Sequence, residues 1–261
     1  AQRTLDAAPM PTDIGRIEKT ASSTFVGRQP ELQRLREAYA RSRDGHPSLV
    51  LIVGESGVGK STLLHEFVAR AQAEAASAVV LSGRCYERES VPYKAFDGIV
   101  DALSRYLKRL PKSEAAALLP RRAAVLVQAF PVLGRVEAML EAPAAQAEVS
   151  DPAEQRSRVF VALRELLARL GERRPLILTI DDLQWADADS IAMLAQLLSP
   201  PDAPSLLLLA TARPLSSVRP VGWDAAVQRM TEVCELPLGP LPNADARALA
   251  ERLLAKTTQA A

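Results

Sequence analysis

The sequence has few aromatic residues, cysteines and histidines. Aromatic side chains make up 4% of its 261 residues, and there are two cysteines and two histidines. Cys85 and Cys234 lack partners at metal-ligand spacing, which excludes a zinc site built from these residues. We expect two buried thiols in a reducing, cytoplasmic compartment, with one disulfide as the alternative. The scarcity of aromatics beside abundant Ala and Leu favours helices packed on a sheet over a β-sandwich.

The sequence also lacks an excess of charge of one sign and a long apolar run. Lysine and arginine number 32 and aspartate and glutamate 31, so no overall field would gather nucleic acid or anionic membrane. The longest apolar runs, 176–180 and 206–210, are too short to span a bilayer. The N-terminus has neither a secretory apolar segment nor an initiator Met, and we expect a piece of a longer polypeptide.

Short apolar runs alternate with helical patterns along the chain. The apolar runs predict strands buried on both faces, over 48–53, 78–81, 176–180, 206–210 and 232–236. Asp151, followed by Pro152, is predicted to cap a helix, with Glu154 completing a capping box. The alternation predicts an α/β fold in three layers, with a mainly parallel five-stranded sheet.

The domain boundaries follow from the same patterns. Residues 1–24 have the composition of a linker or tail, and 25–240 form the predicted core. Proline-broken helical pieces over about 88–150 predict a helical insertion in that core. Residues 241–261 are expected to begin a following helical domain that is truncated here.

A phosphate-binding loop is the strongest motif. It reads Gly54-Glu55-Ser56-Gly57-Val58-Gly59-Lys60-Ser61 and fits G-x-x-x-x-G-K-[ST] between a predicted strand and a predicted helix. Its glycines let successive N–H groups face phosphate oxygens. Lys60 is expected to reach the β- and γ-phosphates, Ser61 to ligate Mg²⁺, and Thr62 to assist at the α-phosphate. The alternative is a glycine-rich turn with a solvated lysine.

An acidic pair at the end of a later strand is the second candidate. Asp181 is expected to bind Mg²⁺, through a water, and Asp182 to orient or activate the attacking water. Because aspartate is shorter than the glutamate common at this position, hydrolysis is expected to be slow. Capping of the next helix is the alternative role. Arg213 follows the fourth strand and is expected either to sense the γ-phosphate or to lie on a solvated loop.

Several motifs together resemble one known family. They are Phe25-Val26-Gly27-Arg28, Glu31-Leu32, the phosphate loop, Gly83-Arg84-Cys85, Pro92-Tyr93 and Asp181-Asp182-Leu183-Gln184-Trp185-Ala186-Asp187. The chain resembles the signal-transduction ATPases with numerous domains (STAND), and more narrowly the AAA-like ATPase module of large bacterial regulators. These regulators carry DNA-binding, nucleotide-cyclase or serine/threonine kinase domains, and residues 83–93 are most similar to the kinase-linked members.

The resemblance implies particular roles and partners. Val26 and Gly27 would lie against the adenine through backbone contacts, with Arg28 beside them as a nucleotide-binding candidate. Arg213 would match the arginine after the sensor strand. The implied ligands are ATP or ADP with Mg²⁺, in an AAA-like fold of the P-loop NTPases. Expected partners are other domains of the same polypeptide and a second copy on ATP binding, without a membrane or direct nucleic-acid contact. Apart from the resemblance, Trp185 could lie in the core or at an interface, and the core is favoured because Trp185 begins the turn after the acidic pair.

Four functions fit these motifs to different degrees. A regulatory switch that binds and hydrolyses ATP is the leading hypothesis. A nucleotide-binding module without hydrolysis, a metabolic phosphotransferase and a DNA-processing AAA protein are the others. No H-R-D-x-x-x-x-N or D-F-G motif supports a protein kinase, and no N-K-x-D motif supports a GTPase.

Overall fold

The computed structural model describes residues 25–88, 92–141, 151–214, 219–230 and 232–259, and the predicted linker 1–24 lies outside them. Five strands are β1 Ser48–Val53, β2 Val79–Arg84, β3 Leu176–Asp181, β4 Leu207–Ala212 and β5 Val233–Pro237. The helices are α1 Gln29–Arg43, α2 Lys60–Glu74, α3 Lys94–Arg109, α4 Lys112–Leu118, α5 Ala123–Ala129, α6 Glu137–Leu140, α7 Pro152–Gly171, α8 Ala188–Leu198, α9 Trp223–Val227 and α10 Asn243–Gln259.

The five strands form one parallel sheet in the order β2-β3-β4-β1-β5. This confirms the predicted α/β fold. The strand order differs from the chain order because β3 and β4 insert between β2 and β1. Each crossover therefore carries helices onto a face of the sheet, as parallel connections require.

Alternate residues of the central strands pack into two separate hydrophobic cores, one on each face of the sheet. On one face Val50, Ile52, Leu207 and Leu209 pack with α1 and α2. On the other face their neighbours Leu49, Leu51 and Leu208 pack with α3, α7 and α8. Side chains alternate between the two faces of a strand, and both faces are covered here. The sequences of these strands are therefore continuously apolar.

The predicted insertion is helical where the structure describes it. It contains α3 to α6 and a short 3₁₀ turn at Pro131–Arg135, and its apolar side chains join the core that faces α7. The stretch 142–150 of the predicted insertion lies outside the described residues.

Two local predictions need correction. Asp151 caps α7 by accepting a hydrogen bond from the N–H of Ala153, but Glu154 does not complete a capping box. Its carboxylate instead pairs with Arg158 one turn later, at 2.7 Å, because an i,i+4 arginine offers a charged partner. The second and fourth strands also extend past their predicted ends, to Arg84 and Ala212. Polar residues there pair within the sheet, and apolar runs did not reveal them.

Among the helices in the described ranges, none is both long enough and apolar enough to cross a membrane.

A close approach of two glycines holds α3 against β2. A Cβ on Gly98 would lie 2.8 Å from Gly83 Cα and 3.0 Å from the Ser82 carbonyl oxygen. Contacts this short involve backbone atoms that cannot rotate away. The contact therefore fixes the distance between α3 and the strand that ends at Arg84.

We expect Gly98→Ala to lower the free energy of unfolding by about 1–3 kcal/mol, because overpacking outweighs the gain of about 1 kcal/mol in helix propensity. The measurement is urea denaturation followed by circular dichroism. Gly239→Ala is the control, since no atom lies within 4 Å of its added Cβ, and it should change stability by less than about 0.5 kcal/mol. Equal stability of the two variants would contradict the close approach.

Candidate active site

The carboxyl ends of the parallel strands gather the candidate residues at one edge of the sheet. The phosphate loop follows β1, the acidic pair ends β3, Arg213 follows β4, and Arg84 ends β2. In a doubly wound sheet this edge is where ligands bind. The predicted residues of the phosphate loop, the acidic pair and Arg213 are therefore brought together.

The phosphate loop turns through glycines in left-handed conformations. Gly57 and Gly59 have φ angles of 80° and 98°, which side-chain-bearing residues rarely adopt. Gly54 lies close to the backbone that follows β5. A Cβ on Gly54 would collide with the Leu238 carbonyl oxygen. Lys60 begins α2, and its Nζ donates to the carbonyl oxygens of Gly54 and Glu55, at 2.9 Å each.

Lys60 is buried and lies near both acidic residues. Burial is the largest influence on its pKa and lowers it from the usual lysine value, while Asp182 and Asp181 act in the opposite direction. The ammonium group is held by neutral carbonyl oxygens. Its hydrogen bonds to charged phosphate oxygens would be stronger, so exchanging one set for the other costs little free energy.

Ser61 and Asp181 meet across the end of β4. Ser61 Oγ lies 2.9 Å from both carboxylate oxygens of Asp181. Thr211 Oγ1, fully buried on β4, donates to Asp181 Oδ1 and accepts a hydrogen bond from the Asp182 N–H at 2.9 Å. The sequence reasoning missed Thr211, although a hydroxyl within the run Leu-Leu-Leu-Leu-Ala-Thr-Ala was a usable signal.

These oxygens fit a Mg²⁺ ion. Mg²⁺ in nucleotide sites takes one or two protein oxygens and completes its shell with phosphate oxygens and waters. Ser61 and Asp181 supply a hydroxyl and a carboxylate in contact with one another, which is the donor set such an ion requires. Mg²⁺ bound there would neutralise phosphate charge.

Asp182 is held by two side chains that the sequence reasoning gave no role. Arg84 Nε and Nη2 donate to Asp182 Oδ2 at 3.2 and 3.0 Å. Gln184 Nε2 donates to Asp182 Oδ1 at 3.1 Å. The hydrogen bond to Asp182 is the main cause that raises the pKa of Arg84. The backbone of Asp182 is left-handed, with φ 60°, which aspartate and asparagine tolerate better than most residues.

Arg213 lies in the cleft with its guanidinium over the ring of Trp185, at 5.7 Å from the ring centroid. Its backbone N–H donates to Gln184 Oε1 at 3.2 Å. Trp185 is half-buried and lines the cleft instead of lying wholly in the core. The core prediction for Trp185 holds in part, because the ring packs against the core and also lines the cleft.

A cleft of about 510 Å³ joins these parts. Phosphate-loop residues form one wall, and residues that end β2, β3 and β4 form the other. Its lining is Ser56, Gly57, Gly59, Lys60, Ser61, Thr62, Arg84, Cys85, Tyr86, Glu87, Asp182, Trp185 and Arg213. The volume is in the range of small-molecule sites, and the polar lining suits an anion.

The predicted adenine residues Val26, Gly27 and Arg28 are not part of the lining of this cleft. A Cβ on Gly27 would collide with the Asp245 carboxylate of α10. The Arg28 guanidinium, nearly buried, donates to Glu31 and to the carbonyl oxygens of Val58 and Gly239. Arg28 thus ties the phosphate loop to the segment before α10.

Asp187, the last residue of the acidic motif, holds the starts of two helices. Its carboxylate caps α8 at the Ser190 N–H, 3.3 Å away, and accepts from the Tyr93 N–H at 3.2 Å. Ser190 Oγ bonds to Asp187 and accepts from the Ala95 N–H. The start of α3 is therefore fastened to the motif that contains Asp182.

The family model for the AAA ATPase domain matches residues 24–209, which is well over half of the chain. The chain therefore belongs to this family. Together with the phosphate loop and acidic pair, this defines an AAA-like P-loop ATPase domain. An uncharacterized protein of Rhizobium meliloti is 25% identical over 192 residues, which are 73% of this chain and 18% of that protein.

One of the similar solved structures supports a shared fold. The Aeropyrum pernix ORC1 protein, in complex with DNA, superposes with a TM-score of 0.55 at 17% identity, over 92% of this chain and 52% of that chain. Caenorhabditis elegans PCH-2 gives a TM-score of 0.43 at 14% identity, over 88% and 47%. The chain thus spans about half of the ORC1 chain and less than a fifth of the Rhizobium protein.

We expect Thr211→Val to lower the free energy of unfolding by about 1–3 kcal/mol. The isosteric change removes the partner of the Asp182 N–H and one of the two hydroxyl contacts of Asp181 Oδ1. The measurement is chemical denaturation at neutral pH. Thr62→Val, at an exposed position of α2, is the control and should change stability by less than about 0.5 kcal/mol. Equal values for the two variants would mean that the buried hydroxyl does not hold the acidic pair.

Proposed function

We propose that this domain binds Mg-ATP and Mg-ADP and hydrolyses ATP slowly, as a conformational switch within a larger regulator of the STAND type. The observation that carries the proposal is the direct meeting of Ser61 with Asp181 beside Lys60. This arrangement offers a metal site and a phosphate site in one cleft. Such a site acts by positioning and by charge neutralisation, and it needs no covalent intermediate.

Each polar residue has a role in this proposal. Lys60 and the loop N–H groups bind the β- and γ-phosphates, while Ser61 and Asp181 hold Mg²⁺. Asp182 orients the attacking water, and Arg213 contacts the γ-phosphate. Arg84 occupies one oxygen of Asp182, and this supports slow turnover because a base engaged by an arginine is less available to a water.

The contacts of α10 support a switch. Asp245 packs on Gly27, and Arg252 donates to the Phe25 carbonyl oxygen at 2.9 Å. The segment proposed to lie against the adenine is therefore in contact with the helix that would begin a following domain. A ligand that favours one arrangement of this segment would shift α10, which is the requirement for a population shift.

Two other functions receive less support. A module that only holds nucleotide would not need Asp182 fixed on both carboxylate oxygens. The ORC1 structure contains DNA, but at 17% identity the likeness carries over the fold alone. We therefore propose neither DNA binding nor a particular output domain for this chain.

We expect Lys60→Ala to weaken Mg-ATP binding by about 10- to 100-fold. The lost charge-assisted bonds are worth about 1.5–3 kcal/mol, and about 1.4 kcal/mol corresponds to tenfold. Titration calorimetry of ATP and ADP into the purified chain, with Mg²⁺ and with a chelator, gives the affinities. Lys108→Ala is the control, because Lys108 is exposed on α3. Unchanged ATP affinity in Lys60→Ala would exclude the phosphate loop as the binding site.

We expect Asp182→Asn to lower the ATP turnover rate by about 100-fold or more while ATP affinity stays within about threefold, since general-base contributions reach about 10²–10⁴. Asparagine also tolerates the left-handed backbone at this position. Phosphate release measured at saturating ATP gives the rate. The control, Asp224→Asn, removes an exposed carboxylate paired with Arg219. Full turnover by Asp182→Asn would rule out Asp182 as the water-orienting residue.

A further inference from the structure

Gln184 joins the two parts of the cleft that would respond to the γ-phosphate. Its side chain is 4% exposed and lies on the short 3₁₀ turn Leu183–Trp185 that follows β3. One end of the amide bonds to the Asp182 carboxylate and the other to the backbone N–H of Arg213. These partners end two neighbouring strands, β3 and β4.

The two partners fix the orientation of the amide. The Asp182 carboxylate can only accept hydrogen bonds when ionised, and the Arg213 N–H can only donate. A reversed amide would place oxygen against oxygen and N–H against N–H. Gln184 therefore has one arrangement in which both ends are satisfied, and in a buried position an unsatisfied end is costly.

Gln184 also opposes Arg84 at the same carboxylate. Arg84 engages Asp182 Oδ2 from the β2 side, and Gln184 engages Oδ1 from the β4 side. The Arg84–Asp182 pair is partly exposed, and such pairs are weak. The direction of the Asp182 carboxylate thus depends on which of the two neighbours holds it more firmly.

On this basis we propose that Gln184 is a positioning residue that couples Arg213 to Asp182. The proposal rests on the ATPase function proposed above and specifies how the site detects the γ-phosphate. When the Arg213 guanidinium leaves Trp185 for the γ-phosphate, the backbone at Arg213 shifts with it, and its N–H draws the bonded Gln184 amide along. The amide then turns Asp182 away from Arg84 and toward the attacking water. ADP does not move Arg213 and leaves Asp182 with Arg84.

Two substitutions at Gln184 remove its hydrogen bonds in different combinations. Gln184→Glu keeps an oxygen that can accept from Arg213, but its carboxylate cannot donate to Asp182 and repels it. Gln184→Met keeps a similar length and loses both bonds. Gln33→Met is the matched control, because Gln33 Nε2 also donates to a carboxylate, that of Glu37 at 3.0 Å, on the exposed face of α1.

Trp185 provides a signal for the movement of Arg213. The chain has two tryptophans, and Trp223→Phe leaves Trp185 as the single emitter. In this background we expect ATP, but not ADP, to change Trp185 emission because the guanidinium leaves the ring. Gln184→Glu should keep the ATP-dependent emission change and an ATP affinity within about threefold. Its turnover should fall by about 10- to 100-fold, as expected for a misplaced catalytic group. Gln184→Met should show the same fall in turnover with affinity preserved.

The outcomes are distinguishable. Turnover in both Gln184 variants within about twofold of the Gln33→Met control would overturn the coupling while leaving the ATPase function intact. Loss of ATP affinity in proportion to turnover would also overturn it, since the amide would then only support the fold. If the unsubstituted chain neither binds nor hydrolyses ATP, the proposed function fails, and the coupling fails with it.

Discussion

Strand β4 lies between the strand that leads into the phosphate loop and the strand that carries the acidic pair. Neighbouring strands are about 4.8 Å apart, so β1 and β3 are separated by about 10 Å. Ser61 and Asp181 nevertheless meet at 2.9 Å. The phosphate loop must therefore curl over the end of β4, and the residue at that point has to be small and able to hydrogen-bond. Thr211 meets both conditions, and the placement of Asp181 and Asp182 depends on it.

The cations of the cleft are held by contacts that a nucleotide can replace. Lys60 lies on two carbonyl oxygens, Arg213 on the face of Trp185, and Arg84 on Asp182. An exposed cation–π contact is worth about 0.5–1 kcal/mol and an exposed ion pair about 0–1 kcal/mol. Bonds from the same cations to phosphate are charge-assisted and stronger. The three side chains are thus ordered in the absence of a ligand. Under the proposed function, little energy opposes the transfer of Lys60 and Arg213 to phosphate.

The sequence predicted the parts of the site that are local in the chain. The phosphate loop and Asp181-Asp182 are contiguous motifs at the ends of apolar runs, and the structure brings them together. Thr211, Gln184 and Arg84 could not be assigned in this way, because their roles come from contacts between different strands. The sequence reasoning quoted Arg84 and Gln184 as parts of motifs without a partner, and the strand order supplies that partner.

The position predicted for Trp185 was right in part. Its place at the start of the turn after the acidic pair favoured the core, and the ring does pack against the core. The left-handed backbone of Asp182 was not visible in the sequence. In the turn that follows it Leu183 is buried, while the ring of Trp185 also lines the cleft.

The motif from Asp181 to Asp187 connects the cleft to the helical insertion. Its first residues face the phosphate loop, Gln184 faces Arg213, and Asp187 holds the start of α3 through the Tyr93 N–H. Helix α3 in turn packs on β2 through Gly98, and β2 ends at Arg84, which returns to Asp182. The first turns of α3 are thus bonded to Asp187 and Ser190 and packed on the strand that ends at Arg84. The insertion therefore contacts two elements that lead to Asp182, namely the motif 181–187 and β2.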